Sequence, residues 1–212
     1  MMMKFNKCAA VFIAAMLAGC AAPASRYYTL QPAQPSPNPA AQVAGLAIRV
    51  LPVSVPEQID RPQIALRTAG SNQLTLLNGS LWAAPISDEI RRMVSSSLAA
   101  RLGAVEWQKG AVPDSLRLWR IELAVQRFEA TYGRDVLLDA SWRTERADAK
   151  GKPAPRLCAA AIRVAIGEGV PAVVEGHEQA LLTLVDLMAH GISGKPLDVP
   201  VDRVIMQRCT PG

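Results

Sequence analysis

Beyond its first twenty residues this sequence lacks long runs of any one kind. It has no stretch of five or six like charges, and a formal net charge of +5 over 212 residues is mild. A nucleic-acid-binding patch therefore has no support. No second apolar run reaches the roughly 20 residues that a membrane-spanning helix needs. There is no Gly-x-Ser-x-Gly elbow, no phosphate-cradling glycine loop and no His-Glu-x-x-His. Only two histidines are present, His177 and His190, both in one helical segment. With the few cysteines they are too scattered to build a tetrahedral metal site. No internal repeat is visible. These absences argue against a metal centre, a cofactor and an enzyme.

What is present begins at the amino terminus. Lys4 and Lys7 give a positive start, and an apolar run of about ten residues extends from Cys8 to Leu17. That is the size of a secretory signal core, too short to span a bilayer. It ends in Leu17-Ala18-Gly19-Cys20, which matches the lipobox of bacterial lipoproteins. The expectation is cleavage after residue 19 and acylation of Cys20, whose thiol is the nucleophile that accepts the lipid. One acyl chain holds a protein only reversibly, whereas three amount to permanent attachment. The next residue is Ala21, not the Asp that retains such proteins at the inner membrane. The expected location is the outer membrane, facing the periplasm. Loss of Lys4 and Lys7 with the signal leaves about +3 of the original +5.

The cysteines sort accordingly. Cys8 leaves with the signal and Cys20 is lipidated, so Cys158 and Cys209 remain. Two thiols in an oxidising compartment usually pair. A Cys158–Cys209 bridge would pin the carboxyl-terminal tail to a central strand; the alternative is two separate buried thiols.

The expected organisation is a signal at 1–19, a lipid-anchored segment at 20–45, and the rest of a single domain at 46–212. Within the anchored segment, Arg26-Tyr27-Tyr28-Thr29-Leu30 reads as a strand, and Pro32, Pro35, Pro37 and Pro39 mark an extended linker. Strands are expected from Leu46 to Val55, from Gln63 to Arg67, and from Leu74 to Leu77, with Asn78 to Pro85 a loop carrying Trp82. A helix comes next, capped by Ser87, with Asp88 and Glu89 in its first turn. Its apolar stripe is Ile86, Ile90, Met93, Val94, Leu98 and Leu102, and Gly103 ends it. Alternation over Leu116–Phe128 and Val136–Trp142 around Tyr132-Gly133-Arg134-Asp135 predicts an antiparallel hairpin. Arg156–Ile166 is a further strand. Pro171 starts a second helix, apolar at Val173, Val174, His177, Leu181, Leu184, Val185 and Met188, ended by Gly191. The fold class is α+β: a single mostly antiparallel or mixed sheet with two amphipathic helices packed on it.

Several pieces together resemble the PqiC/YmbA family of lipoproteins. They are the lipobox at Cys20, Tyr27-Tyr28-Thr29-Leu30, and Val55-Pro56-Glu57-Gln58-Ile59-Asp60-Arg61-Pro62-Gln63-Ile64. To these add Trp82-Ala83-Ala84-Pro85 and Gly176-His177-Glu178-Gln179-Ala180. Asp60-Arg61-Pro62-Gln63 is the most specific piece, and Val199–Gly212 lies outside the pattern. The resemblance implies an auxiliary lipoprotein of an ABC-type lipid transport system. Its expected partner is an MCE-domain protein of the PqiB type, whose tube it would hold at the outer membrane in support of envelope integrity. A ring of MCE subunits favours an oligomeric lipoprotein.

Such a role needs an anchor, a rigid domain and a contact surface. The contact candidates are Arg61, Trp82 and Tyr27. Each has a structural alternative: local pairing for Arg61, a buried loop pin for Trp82, core packing for one of Tyr27 and Tyr28. His177 reads more readily as a buried helix residue than as a catalytic base. Two other roles stay open: a periplasmic carrier that binds phospholipid, and a structural lipoprotein of another envelope machine.

Overall fold

The computed structural model describes residues 24–32, 45–71, 73–147, 154–194 and 201–210. Its elements in chain order are β1 (Arg26–Tyr28), β2 (Leu46–Val50), β3 (Gln63–Arg67), β4 (Leu74–Trp82), α1 (Ile86–Leu102) and β5 (Val105–Glu106). They continue with β6 (Arg117–Thr131), β7 (Asp135–Arg146), β8 (Arg156–Ala165), α2 (Val170–Ser193) and β9 (Val204–Cys209). A 3-10 turn at Val201–Arg203 leads into β9. Among the described residues no helix is long and apolar enough to cross a membrane.

The hairpin of β6 and β7 is the spine, paired from Trp119↔Arg146 to Thr131↔Asp135. Period-2 alternation puts Ile121, Leu123 and Val125 on one face with Val136, Leu138, Ala140 and Trp142 opposite them, all buried. A bulge between Val125 and Arg127 shifts the phase by one residue, so Phe128 and Ala130 return to the same buried face. β8 extends this face with Cys158, Ala160, Ile162 and Val164, and β9 pairs antiparallel beyond it.

On the other side of β6 the sheet forks. β2 pairs parallel with its first half, Leu46↔Arg117 to Val50↔Ile121, and carries the two-residue β5. β3 pairs parallel with its last residues, at Leu66↔Ala130 and Arg67↔Thr131. β4 then pairs antiparallel with β3, and β1 parallel with β4 at the edge. The result is an α+β fold in which two helices pack on one mixed sheet. The large side chains that vanish from solvent include Ile48, Ile64, Ile90, Met93, Leu98, Ile121, Leu138, Ile162, Leu181 and Leu184. Each buried aliphatic of this size contributes about 1.5–3 kcal/mol.

Both helix boundaries differ in part from the sequence expectation. Ser87 does not cap α1; Pro85 is the N-cap and its carbonyl accepts the Asp88 and Glu89 N–H groups. Proline's fixed φ and missing N–H place it naturally at that border. Gly103, in the left-handed region at φ 61, closes α1 as expected. α2 runs through Gly191 and stops at Gly194, where φ is 68. A lone glycine within a helix costs only about 1 kcal/mol, too little to end one whose face is buried.

Inside α2, Gly176 is where the helix meets the sheet. A Cβ there would lie 2.3 Å from Ile166 Cγ2 and 2.9 Å from Val136 Cγ2. Both neighbours are β-branched and hold a single rotamer stiffly. Gly176→Ala would gain up to about 1 kcal/mol in helix propensity, but overpacking typically costs about 1–3 kcal/mol. At this separation the clash wins. Denaturant unfolding is expected to show Gly176→Ala destabilised by about 1–2 kcal/mol net; an equal or raised midpoint would contradict the packing described.

Candidate functional site

The chain enters the fold at β1, six residues after Cys20. Cys20 itself lies outside the described residues, as do residues 33–44 of the proline-rich linker. The segment leaving β1 is fastened to both helices. The Ala83 N–H donates to the Tyr28 carbonyl at 2.8 Å. The Leu30 N–H donates to Glu89 Oε2 of α1 at 3.1 Å, and the Gln31 N–H donates to Glu178 Oε1 of α2 at 2.7 Å. Glu89 is 1 % exposed and also pairs with Arg92. Burial pushes the Glu178 carboxyl above its ordinary range, the Gln31 N–H opposes that, and Glu175 adds to it. Two carboxylates thus satisfy consecutive backbone donors in a segment that has left the sheet after Tyr28. Glu89→Ala leaves the Leu30 N–H without its buried acceptor, a loss of about 1–3 kcal/mol. It is expected to speed amide exchange at Leu30 well above the wild-type rate, whereas Glu89→Gln keeps an acceptor and most of the stability. Equal exchange in wild type and Glu89→Ala would refute the clamp.

The three contact candidates gather at this corner. Tyr27 pairs with Leu81, Leu81 pairs with Gln63, and Arg61 lies two residues before Gln63. Tyr27 is 67 % exposed, and Arg61 is exposed as well. Trp82 is not exposed. It is 6 % accessible and sits within β4 rather than on a loop, which removes it as a surface anchor. Asn78, Gly79 and Ser80 form an irregularity between Ile64↔Leu77 and Gln63↔Leu81, after which pairing resumes. The Trp82 backbone N–H donates to the Pro62 carbonyl at 2.7 Å, tying the Asp60–Pro62 turn to the strand. Tyr28 packs against the core, so the two tyrosines divide between inside and outside.

Beneath the corner lies an aromatic cluster. His177 stacks on Phe128 with ring centroids 3.9 Å apart, and Trp82 meets His177 edge-on at 6.2 Å. His177 is 2 % exposed, and among the described residues its Nδ1 has no hydrogen-bond partner. Burial pushes its pKa down to about 3. The imidazole is therefore neutral, and no nucleophile accompanies it in the cluster. The Gly176-His177-Glu178 sequence thus has one structural task per residue: close approach, stacking and clamping. Asp186, also on α2, pairs with Arg101 of α1 at 3.0 Å; burial raises its pKa and Arg101 opposes the rise.

Around β6 and β7 the face of the sheet opposite the helices carries charged pairs. Arg67–Glu129, Arg120–Glu145, Arg127–Asp139 and Arg143–Glu122 pair across it, at 3.7 Å in the last case. A trough of about 670 Å³ crosses this face, lined by Leu51, Pro52 and Leu157 at its sides and by Ala124 and Ser141 in the middle. Ala124 and Ser141 are register partners, and their small side chains leave the hollow. Sequence reasoning missed this trough, because it needs residues from four separate segments. Cys158 and Cys209 face each other across β8 and β9 and are joined by a disulfide. Among the described residues no group of three or more His, Cys, Asp or Glu could hold a metal ion.

Comparisons with known proteins place this geometry. A family model described as ABC-type transport auxiliary lipoprotein component matches residues 28–189. The fold is similar to that of protein XCC0632 from Xanthomonas campestris, of the DUF330 family, at 21 % identity and a TM-score of 0.59. That match covers 80 % of this chain and 96 % of that one. It is also similar to the crystal structure of a protein of unassigned function, with TM-score 0.60 and 18 % identity, covering 80 % of this chain and 99 % of that one. No curated protein sequence matches the chain.

Proposed function

The chain belongs to the ABC-type transport auxiliary lipoprotein component family, and from that premise we propose that it is a non-catalytic docking subunit of an intermembrane lipid transport system. In this reading Cys20 carries the lipid and fixes the domain to the outer membrane, facing the periplasm. The domain holds the distal end of a periplasmic tube built by an MCE-domain protein of the PqiB type.

The observation that carries the proposal is the family match, which extends over almost the entire folded part from Tyr28 to Ala189. The physical features agree with it. The chain is fastened at its point of entry by Glu89 and Glu178, so load on a tether passes into both helices. A disulfide fastens the other end of the sheet. A docking subunit needs rigidity between its anchor and its partner, and these devices supply it. The buried neutral His177 has a packing role, and no reaction is assigned to it.

Co-purification from membranes solubilised in mild detergent tests the reading. The MCE-domain protein is expected to elute with the lipoprotein. Absence of the pair under every membrane-preserving condition would overturn it. The lipid-carrier reading has one observation in its favour, the trough of about 670 Å³, since ligand sites run from about 300 to 1,000 Å³. Phospholipid extracted in stoichiometric amount from purified protein would favour the carrier; its absence would leave docking as the role.

A further inference from the structure

We infer that the β1 edge of the sheet is a second membrane contact, in which Tyr27, Leu76 and the neighbouring arginines rest on the phospholipid surface to which the chain is tethered. This rests on the proposed acylation of Cys20.

The first argument is reach. Arg26, where β1 begins, is six positions along the chain from Cys20. Extended chain spans at most about 3.3–3.6 Å per residue, so the anchor holds Arg26 within about 20 Å of the bilayer. No slack is gained from the fold, because β1 is paired to β4 and Leu30 and Gln31 are clamped to Glu89 and Glu178. The opposite edge, β9, is six strand positions away in the order β1-β4-β3-β6-β7-β8-β9. At about 4.8 Å per position that is about 29 Å. The tether therefore brings one particular edge to the membrane and leaves the other facing the periplasm.

The second argument is surface chemistry. Ile64 and Leu66 of β3 point into the core, so Gln63 and Ala65 point away from the helices. Their partners on β4 are Leu81 and Leu76, and Tyr27 pairs with Leu81. Tyr27 at 67 % and Leu76 at 36 % exposure are both on this outward side. Arg26, next to Tyr27 at the start of β1, and Arg61, two residues before Gln63, are exposed as well. A tyrosine presents an apolar ring with a polar tip, suited to the boundary between acyl chains and water. Arginine guanidinium matches lipid phosphate as a fork of donors. An aromatic and an aliphatic side chain flanked by arginines, held within tether range, fit a phospholipid headgroup layer better than free solvent.

The test uses the full-length lipoprotein in vesicles of phosphatidylethanolamine and phosphatidylglycerol. Photoreactive benzoylphenylalanine replaces Tyr27 or Leu76, and in controls Ile205 or Gln207, exposed residues of β9 that lie outside the trough. Illumination is expected to give at least five times more phospholipid adduct at 27 and 76 than at 205 and 207. Equal yields at all four positions would overturn the contact. Intact mass of the same preparation reports the anchor separately. Acylated protein without the preference sinks this surface alone, whereas unacylated protein sinks the tether and the surface together.

Discussion

Acidification from pH 7.5 to 4.5 is expected to remove roughly 2–3 kcal/mol of folding stability through His177 alone, and His177→Leu is expected to abolish that part of the loss. In the unfolded chain the imidazole titrates at its ordinary value of about 6.5; in the fold burial holds it down to about 3. Between those values the unfolded state carries the proton and the folded state does not, so stability falls as pH falls. The contribution is fully present above pH 6.5 and fully lost below about 3, with a slope approaching 1.4 kcal/mol per pH unit between. Two carboxyls on the same helix act in the opposite sense. Glu178 and Asp186 have raised pKa values in the fold, each through burial. Their protonation therefore favours the folded state as pH drops into the carboxylate range. The difference between wild type and His177→Leu cancels them, because both remain in the variant. Urea unfolding at half-unit steps of pH supplies the comparison. Leucine sacrifices the stacking on Phe128, which shifts absolute stability but not the slope. It also removes a buried Nδ1 that has no hydrogen-bond partner among the described residues. Parallel stability curves for the two proteins between pH 6.5 and 4.5 would show that His177 is reached by protons in the fold.

The contrast between His177 and Trp82 shows which features were legible in the chain and why. His177 lies on a stripe of period 3.6 with Val173, Val174, Leu181 and Leu184, and every one of these is buried. Helical periodicity is local, so the face could be read before the fold was known. The β6–β7 hairpin was legible for the same reason, since both arms and the turn are contiguous. Trp82 belongs to a strand interrupted by Asn78, Gly79 and Ser80, and those residues read as the start of a loop. The pairing that resumes at Leu81 depends on Tyr27 and Gln63, from distant parts of the chain. No local pattern announces such a return.

The same distinction separates the parts of the candidate site. An α+β architecture could be read from the alternation of strands and helices. The fork in the sheet could not, because β2 and β3 are both parallel neighbours of β6 and only its length of fifteen residues accommodates them. The clamp on the entering chain was equally hidden. Glu89 looks like a first-turn helix acid serving the dipole, and its service to the Leu30 N–H appears only once α1 lies beside the entering chain. Tyr27 and Arg61 come together by the β1–β4–β3 pairing.

Reduction of the Cys158–Cys209 bond, or Cys158→Ala with Cys209→Ala, is expected to cost up to about 4 kcal/mol in global stability. The bond closes a loop with a sequence separation of 51, and the loss of unfolded-state entropy for a loop of that size is about 4 kcal/mol on the chain-entropy model. Whether the full amount is observed depends on β9. Among the described strands its neighbour is β8, joined from Cys158↔Cys209 to Ile162↔Val204, and the Thr210 N–H donates to the Leu157 carbonyl at 2.8 Å. Ile205, Gln207 and Arg208 of β9 are exposed, so little apolar area holds it. Without the bond the strand has hydrogen bonds worth about 0.5–1.5 kcal/mol each and the entropy of a free end against them. Fraying in the folded state then recovers part of the entropy, and the measured loss shrinks accordingly. Two measurements separate these effects: the denaturant midpoint reports the global loss, and amide exchange over 204–210 reports detachment of the strand. A loss near 4 kcal/mol with exchange unchanged means that pairing alone keeps β9 in place, at about the loop-entropy value. A smaller loss with fast exchange means that the bond is what seats the strand on the sheet. Unchanged midpoint and unchanged exchange together would show that the cross-link contributes nothing to the fold.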